Sequence, residues 1–172
     1  MFETKRLLVR HVETADVDAM YAVYSDGEVM RWVGDGQPLD RGQCEQWVVV
    51  TQRNYASRGY GMSALLERRT RYVIGFCGLV HPGGQSKPEI KYALRRESWG
   101  QGFATEAVSA MLAYAASSLG IAQVIATAAP ENTASHRVLR KSGMQLGELR
   151  QNEDDSLTQF FVWRPSLSKS AL

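Results

Sequence analysis

Glu89-Ile90-Lys91-Tyr92-Ala93-Leu94 leads into Trp99-Gly100-Gln101-Gly102-Phe103-Ala104, after which Val108, Met111, Leu112, Ala115 and Leu119 recur at helical spacing up to Gly120. This stretch reads as a strand, a glycine-containing turn and a long helix. The start of a helix leaves several backbone N–H groups without helical partners, and the aligned peptide dipoles add partial positive charge there. Phosphates bind well at such ends. Gly100 and Gly102 carry no Cβ, so the chain can adopt unusual dihedrals and approach an anion closely. Gly-x-Gly alone marks many strand-to-helix turns, so its context has to decide. A Walker phosphate loop would require Gly-Lys-Ser/Thr, which is absent. A dinucleotide fingerprint would want a small residue where Thr105 stands and an acid about twenty residues on, whereas Gly120 to Ile125 contain none.

Upstream of this stretch, a short strand around Arg6 to His11 precedes Val17, Met20, Tyr21 and Tyr24 at helical spacing, with Thr14 as the expected N-cap. A second helix after Asp40 places Cys44, Trp47, Val48, Thr51 and Tyr55 on one face and ends at Gly59. Alternating Tyr60, Met62, Ala64 and Leu66 and the β-type run Tyr72 to Val80 read as an antiparallel hairpin. Downstream, Gln123 to Ala128 reads as a buried strand and Asn132 to Lys141 as a short helix closed by Gly143. Met144 to Arg150 and Leu157 to Trp163 form a final hairpin. The helix between the fourth strand, Glu89 to Leu94, and the fifth is a crossover, which favours a parallel pair there. The expected fold is therefore α/β (α+β): a mixed, mostly antiparallel seven-stranded sheet, parallel at strands 4 and 5, flanked by about four helices. Residues 1–165 read as one domain and residues 166–172 as a frayed tail.

With 44% hydrophobic and 22% charged residues, the 172-residue chain has an ordinary globular composition. Twenty basic and 18 acidic residues lie dispersed along it, which favours no nucleic-acid partner. Only Cys44 and Cys77 occur, and His11, His81 and His136 show no metal spacing, so no metal is expected. A reduced, cytoplasmic setting fits, and no run of ~18 apolar residues suggests a membrane span.

Trp99-Gly100-Gln101-Gly102-Phe103-Ala104 resembles the GNAT superfamily motif Gln/Arg-x-x-Gly-x-Gly/Ala, departing from it at Trp99. Residues 99 to 107 are similar to the branch containing ribosomal-protein N-terminal alanine and serine acetyltransferases. So are Glu3-Thr4-Lys5-Arg6-Leu7, Ser25 to Met30, Asn132-Thr133-Ala134-Ser135 and Lys141-Ser142-Gly143-Met144. The resemblance implies an acetyl-CoA-dependent N-acetyltransferase, working as a monomer or homodimer. It implies that backbone N–H groups from Gly100 to Thr105 hold the pyrophosphate of CoA, with Trp99, Gln101, Phe103 and Ala104 part of the same turn. It also implies that the strand ending at Leu94 splays from the fifth strand and leaves main-chain groups for the pantetheine arm. Arg95 and Arg96 either touch the CoA phosphates or lie in a solvated loop.

Acetyl transfer needs a neutral amine; a peptide α-amine has a pKa of ~7.7 to 8 and an alkyl amine ~10.4, so the α-amine is the easier nucleophile. The acceptor is a primary amine, either a protein N-terminus or a small amine. A non-catalytic acyl-CoA sensor or interaction module is the alternative of a different class. The resemblance assigns Asn132 to positioning the cofactor or a water, although Asn there also suits a helix cap. Many family members carry a Tyr seven residues after the Asn, where this chain has Leu139. The resemblance implies Ser135 as the substitute acid for the departing thiolate, and local bonding to the helix backbone is its structural alternative. Glu89 either recognises the amine, or helps to remove its proton through water, or is an exposed strand-end carboxylate. Trp99, Tyr92 and Phe103 line the cleft or belong to the core.

Overall fold

The computed structural model describes residues 1–166, so the tail expected at 166–172 lies, beyond Ser166, outside the described residues. Asp40 accepts from the Gln43 N–H while Gln43 reaches back to the Asp40 N–H, and this reciprocal cap starts a long helix. Gly59 ends it in the left-handed region, at φ +79°. The strands are β1 (Phe2–Glu3), β2 (Leu7–His11), β3 (Met62–Glu67), β4 (Val73–Val80), β5 (Glu89–Leu94), β6 (Val124–Ala128), β7 (Gln145–Gln151) and β8 (Leu157–Trp163). The helices are α1 (Val17–Tyr24), α2 (Gly27–Met30), α3 (Arg41–Arg58), α4 (Phe103–Leu119) and α5 (Thr133–Lys141).

One sheet runs β1-β2-β3-β4-β5-β6-β8-β7, antiparallel throughout except between β5 and β6. The expected mixed sheet is present, and the parallel pair falls on the two expected strands. Two short elements enlarge the count. Thr4 N–H bonds Leu7 C=O, folding Phe2 back opposite Val9 as an eighth strand too short to show periodicity. Asp26 caps the one-turn helix α2 through the Glu28 N–H. Thr14 is not the cap of the first helical segment. The Asp16 carboxylate takes the Glu13 N–H and both Arg10 Nη atoms, because an ionised fork-to-fork pair binds more strongly than a lone hydroxyl.

Side chains alternate across the pleat, so the sheet buries two faces. Leu7, Leu65, Cys77, Leu79, Ile90, Leu94, Val124 and Phe161 pack with Phe103, Val108, Met111 and Leu112 of α4 and Leu139 of α5. Ala64, Phe76 and Ala93 pack with Met20, Val23 and Tyr24 of α1 and with Cys44 and Val48 of α3. Each fully buried Leu or Phe contributes about 2 kcal/mol, so both helical layers are firmly held.

The parallel pair is where the sheet opens. β5 has six residue pairs with β4, and β6 has five with β8, yet β5 and β6 share only Glu89↔Ile125. Ile125 N–H bonds Pro88 C=O at that closed end. Beyond it each strand follows its antiparallel partner and the two diverge.

Candidate functional site

The turn between β5 and α4 has the backbone that its glycines permit. Gly100 sits at φ +71° and Gly102 at φ +80°, left-handed conformations that L side chains rarely adopt. Gly102 is the N-cap of α4, and no side chain caps the helix there. Among the described residues, no protein acceptor takes the N–H of any residue from Gly100 to Thr105. An ideal Cβ at Gly100 would meet nothing within 4 Å. Unpaired N–H groups at the positive end of a 17-residue helix, with open space beside Gly100, fit an anionic diphosphate.

The N-terminal segment braces this turn. Thr4 Oγ1 and the Arg6 N–H donate to Glu106 Oε1 at 2.6 and 2.8 Å, and Arg6 Nε donates to Oε2 at 2.7 Å. Arg6 Nη1 donates to Gln101 C=O at 2.8 Å, and its guanidinium lies 4.3 Å from the centre of the Phe103 ring. Burial by itself would raise the Glu106 carboxyl, but the bonds from Thr4 and Arg6 outweigh it and hold the group below its ordinary value. Glu106 therefore stays ionised and ties β2's leading residues to α4. Arg6, Thr4 and Glu106 were not singled out from the sequence as site residues, because the pairing spans about a hundred positions.

The expected cofactor-contacting residues split in two. The main chain from Gly100 to Thr105 forms the turn surface, whereas the Phe103 side chain is buried in the core. Trp99 is 46% exposed, and its indole N–H donates to Leu94 C=O at 2.8 Å. Arg95 N–H bonds Ile74 C=O across to β4, so by alternation the main-chain groups of Tyr92 and Leu94 face away from β4, toward the opening. Arg96 is committed to Asp26 at 2.7 Å. Arg95 has a loose partner in Glu97 at 3.8 Å and a buried Nε without a hydrogen bond.

At the N-terminus of α5, Asn132 Oδ1 accepts from the Ser135 N–H at 3.1 Å, so Asn132 caps the helix. Its Nδ2 bonds no protein acceptor among the described residues. Ser135 Oγ lies 2.7 Å from the Tyr92 hydroxyl, a pairing between α5 and β5. The sequence marks Tyr92 only as a cleft-lining or core aromatic, and no local spacing links it to Ser135. Leu139 is buried, without polar reach.

Glu89 is not an exposed strand-end carboxylate: it is 3% exposed. Lys91 Nζ lies 2.5 Å from Oε1, the Thr127 hydroxyl donates to the same oxygen, and Gln85 Nε2 donates to Oε2 at 3.2 Å. A carboxylate survives burial when its lone pairs are taken this way. His81 Nδ1 donates to Gln85 C=O, which leaves Nε2 to accept from the Tyr60 hydroxyl. His136 donates to Ala129 C=O. Cys44 and Cys77 are buried, and burial pushes the Cys77 thiol well up. Among the described residues, no three His, Cys, Asp or Glu side chains are placed to hold a metal ion, and no helix is long and apolar enough to cross a membrane.

Residues 6–145 match the family model for the acetyltransferase (GNAT) domain. The uncharacterized N-acetyltransferase YoaA of Bacillus subtilis (strain 168) is 33% identical over 158 residues, covering 88% of this chain and 86% of its own. Among solved structures, an acetyltransferase (GNAT family) from Bacillus anthracis superposes with a TM-score of 0.80 at 23% identity, covering 94% of this chain and 96% of that one. RimL, a ribosomal α-N-protein acetyltransferase in complex with coenzyme A, also gives 0.80, at 17% identity, over 94% of this chain and 95% of its own. The family match spans the phosphate-type turn and the opened strands alike, and the chain belongs to the GNAT acetyltransferase family, which makes it an acyltransferase.

Proposed function

We propose that this acetyltransferase takes its acetyl group from acetyl-CoA and passes it to a primary amine, on a protein N-terminus or a small molecule, by direct attack in a ternary complex. The observation that carries the reading is the uncapped start of α4 beside the opened end of β5. The pyrophosphate binds the N–H groups of Gly100 to Thr105, and the pantetheine arm lies along the main chain of Tyr92 and Leu94. Both substrates meet within one domain spanning residues 1–165. The coenzyme A complex of RimL shares this fold.

The neutral amine attacks the thioester carbonyl, whose oxygen is polarised by a main-chain N–H at the open end of β5, that of Leu94 being so directed. The C–S bond then breaks and sulfur leaves with the electron pair. Ser135 supplies the proton. Glu89 stands on the acceptor side; Lys91 and Thr127 both bond Oε1 while Gln85 alone bonds Oε2, so its reach to the amine runs from the remaining lone pair of Oε2 through a water. Incubation with acetyl-CoA and a panel of N-terminal peptides, polyamines and amine-bearing antibiotics, read as released thiol, tests the proposal. Turnover with one class names the acceptor. Binding by calorimetry with no turnover across the panel would instead identify a sensor.

Ser135→Ala is expected to lower kcat roughly 10- to 100-fold with little change in acetyl-CoA affinity, since a thiol of pKa ~8.5 is already a tolerable leaving group. Wild-type kcat in the folded variant, with chemistry shown to limit turnover, removes Ser135 from this role. Asn132→Asp keeps an oxygen to cap α5 but deletes the free Nδ2 donor. It should melt within a few degrees of the wild type and lose about tenfold in kcat/KM. Full activity would leave Asn132 with the cap alone.

A further inference from the structure

The sequence lacks a tyrosine where Leu139 stands, yet the fold brings a phenol to the neighbouring hydroxyl from another element. Tyr92 lies on β5 three residues past the single β5–β6 bridge, where the strands have parted. Ser135 lies in the first turn of α5, and the two oxygens are 2.7 Å apart across that opening. We propose that Tyr92 is the positioning residue for the leaving-group proton: its hydroxyl donates to Ser135 Oγ and turns the serine proton toward the departing sulfur.

The chemistry of the two hydroxyls favours Tyr92 as the donor in this bond. A phenol, with its ordinary pKa of ~10, is a better donor than an alkyl hydroxyl, and the alkyl oxygen is the better acceptor. Burial raises the Tyr92 phenol above its ordinary range, so the phenol keeps its proton and has one to donate. Ser135 Oγ has no other hydrogen bond among the described residues, so once it accepts from Tyr92 its single proton has no protein acceptor. In the first turn of α5 no earlier helical turn lies behind Ser135 to take that proton.

The inference rests on the reading of Ser135 as the acid. In the step itself the amine nitrogen bonds the acetyl carbon, the C–S bond breaks, and sulfur takes the Ser135 proton. The serine oxygen recovers a proton from the water that received the one lost by nitrogen. One proton passes from nitrogen to sulfur in all, and Tyr92 retains its own.

The test is a double-mutant cycle on the full chain with a confirmed amine acceptor, under conditions where chemistry limits turnover. Tyr92→Phe should lower kcat about 3- to 10-fold, leave the KM for acetyl-CoA within about twofold, and leave the melting temperature near that of the wild type. In the Ser135→Ala background the same change should have no further effect. A Tyr92→Phe enzyme with wild-type kcat, or one losing the same factor in both backgrounds, overturns the inference and leaves Ser135 as the acid. Wild-type kcat in Ser135→Ala overturns both. Should Tyr92→Phe melt below the assay temperature, Tyr92→Met repeats the cycle, since it too lacks the hydroxyl.

Discussion

Gly102→Val is expected to weaken acetyl-CoA binding roughly 30- to 150-fold, about 2 to 3 kcal/mol, while the protein remains folded. At φ +80° a β-branched residue is strained, and relaxing the strain would turn the unpaired N–H groups away from the proposed pyrophosphate site. The added Cβ would also lie 3.4 Å from Arg6 Nη2, and the two γ-carbons would crowd the guanidinium that holds Gln101 C=O. Gly102→Ala, which lacks those γ-carbons, should lose only a few-fold. Titration calorimetry on both variants checks the order. A folded Gly102→Val protein with wild-type affinity would mean that the phosphates bind elsewhere.

Gly78→Ala should be among the most destabilising single-methyl additions in the chain. Gly78 lies in the middle of β4, paired with Met62 on one side and Lys91 on the other. A Cβ there would fall 2.2 Å from Gly61 C=O and 2.5 Å from Met62 Cα, both main-chain atoms that cannot rotate aside. Moving a strand in a packed sheet costs about 3 to 5 kcal/mol, beyond the usual overpacking penalty of ~1 to 3 kcal/mol. The melting temperature should fall by roughly 10 °C or more. Gly83→Ala is the control: its φ of +61° is strained but its Cβ would meet nothing within 4 Å. It should lose only about 1 kcal/mol. A Gly78→Ala melt within about 2 °C of wild type would show that β3 and β4 can move apart at little cost.

Such close approach matters to the site as well as to stability. At Gly75 a Cβ would lie 2.3 Å from Ala93 C=O and 2.9 Å from Leu94 Cα, so β5 is drawn tightly onto β4 at the end that carries Tyr92 and Leu94. β6 is meanwhile held by five pairs to β8. The opening between β5 and β6 is thus the result of two strong antiparallel alignments pulling on one weak parallel contact.

What the residues determined by themselves was local. The cap at Asp40, the stop at Gly59, the alternation of β3 and β4, and the turn at Gly100 and Gly102 each depend on neighbours a few positions away, so their chemistry is readable in order along the chain. The parallel pair followed from the crossover helix, because a long helical connection returns the chain in the direction it left. Only the tertiary structure decided that β8 inserts between β6 and β7, that Glu89 is buried among Lys91, Thr127 and Gln85, that Arg6 clasps Glu106, and that Tyr92 meets Ser135. Apart from the Glu89–Lys91 pair within β5, those contacts join residues from separate strands, helices or loops, most of them far apart in sequence. Side-chain type at one position does not specify a distant partner; strand order and sheet register do.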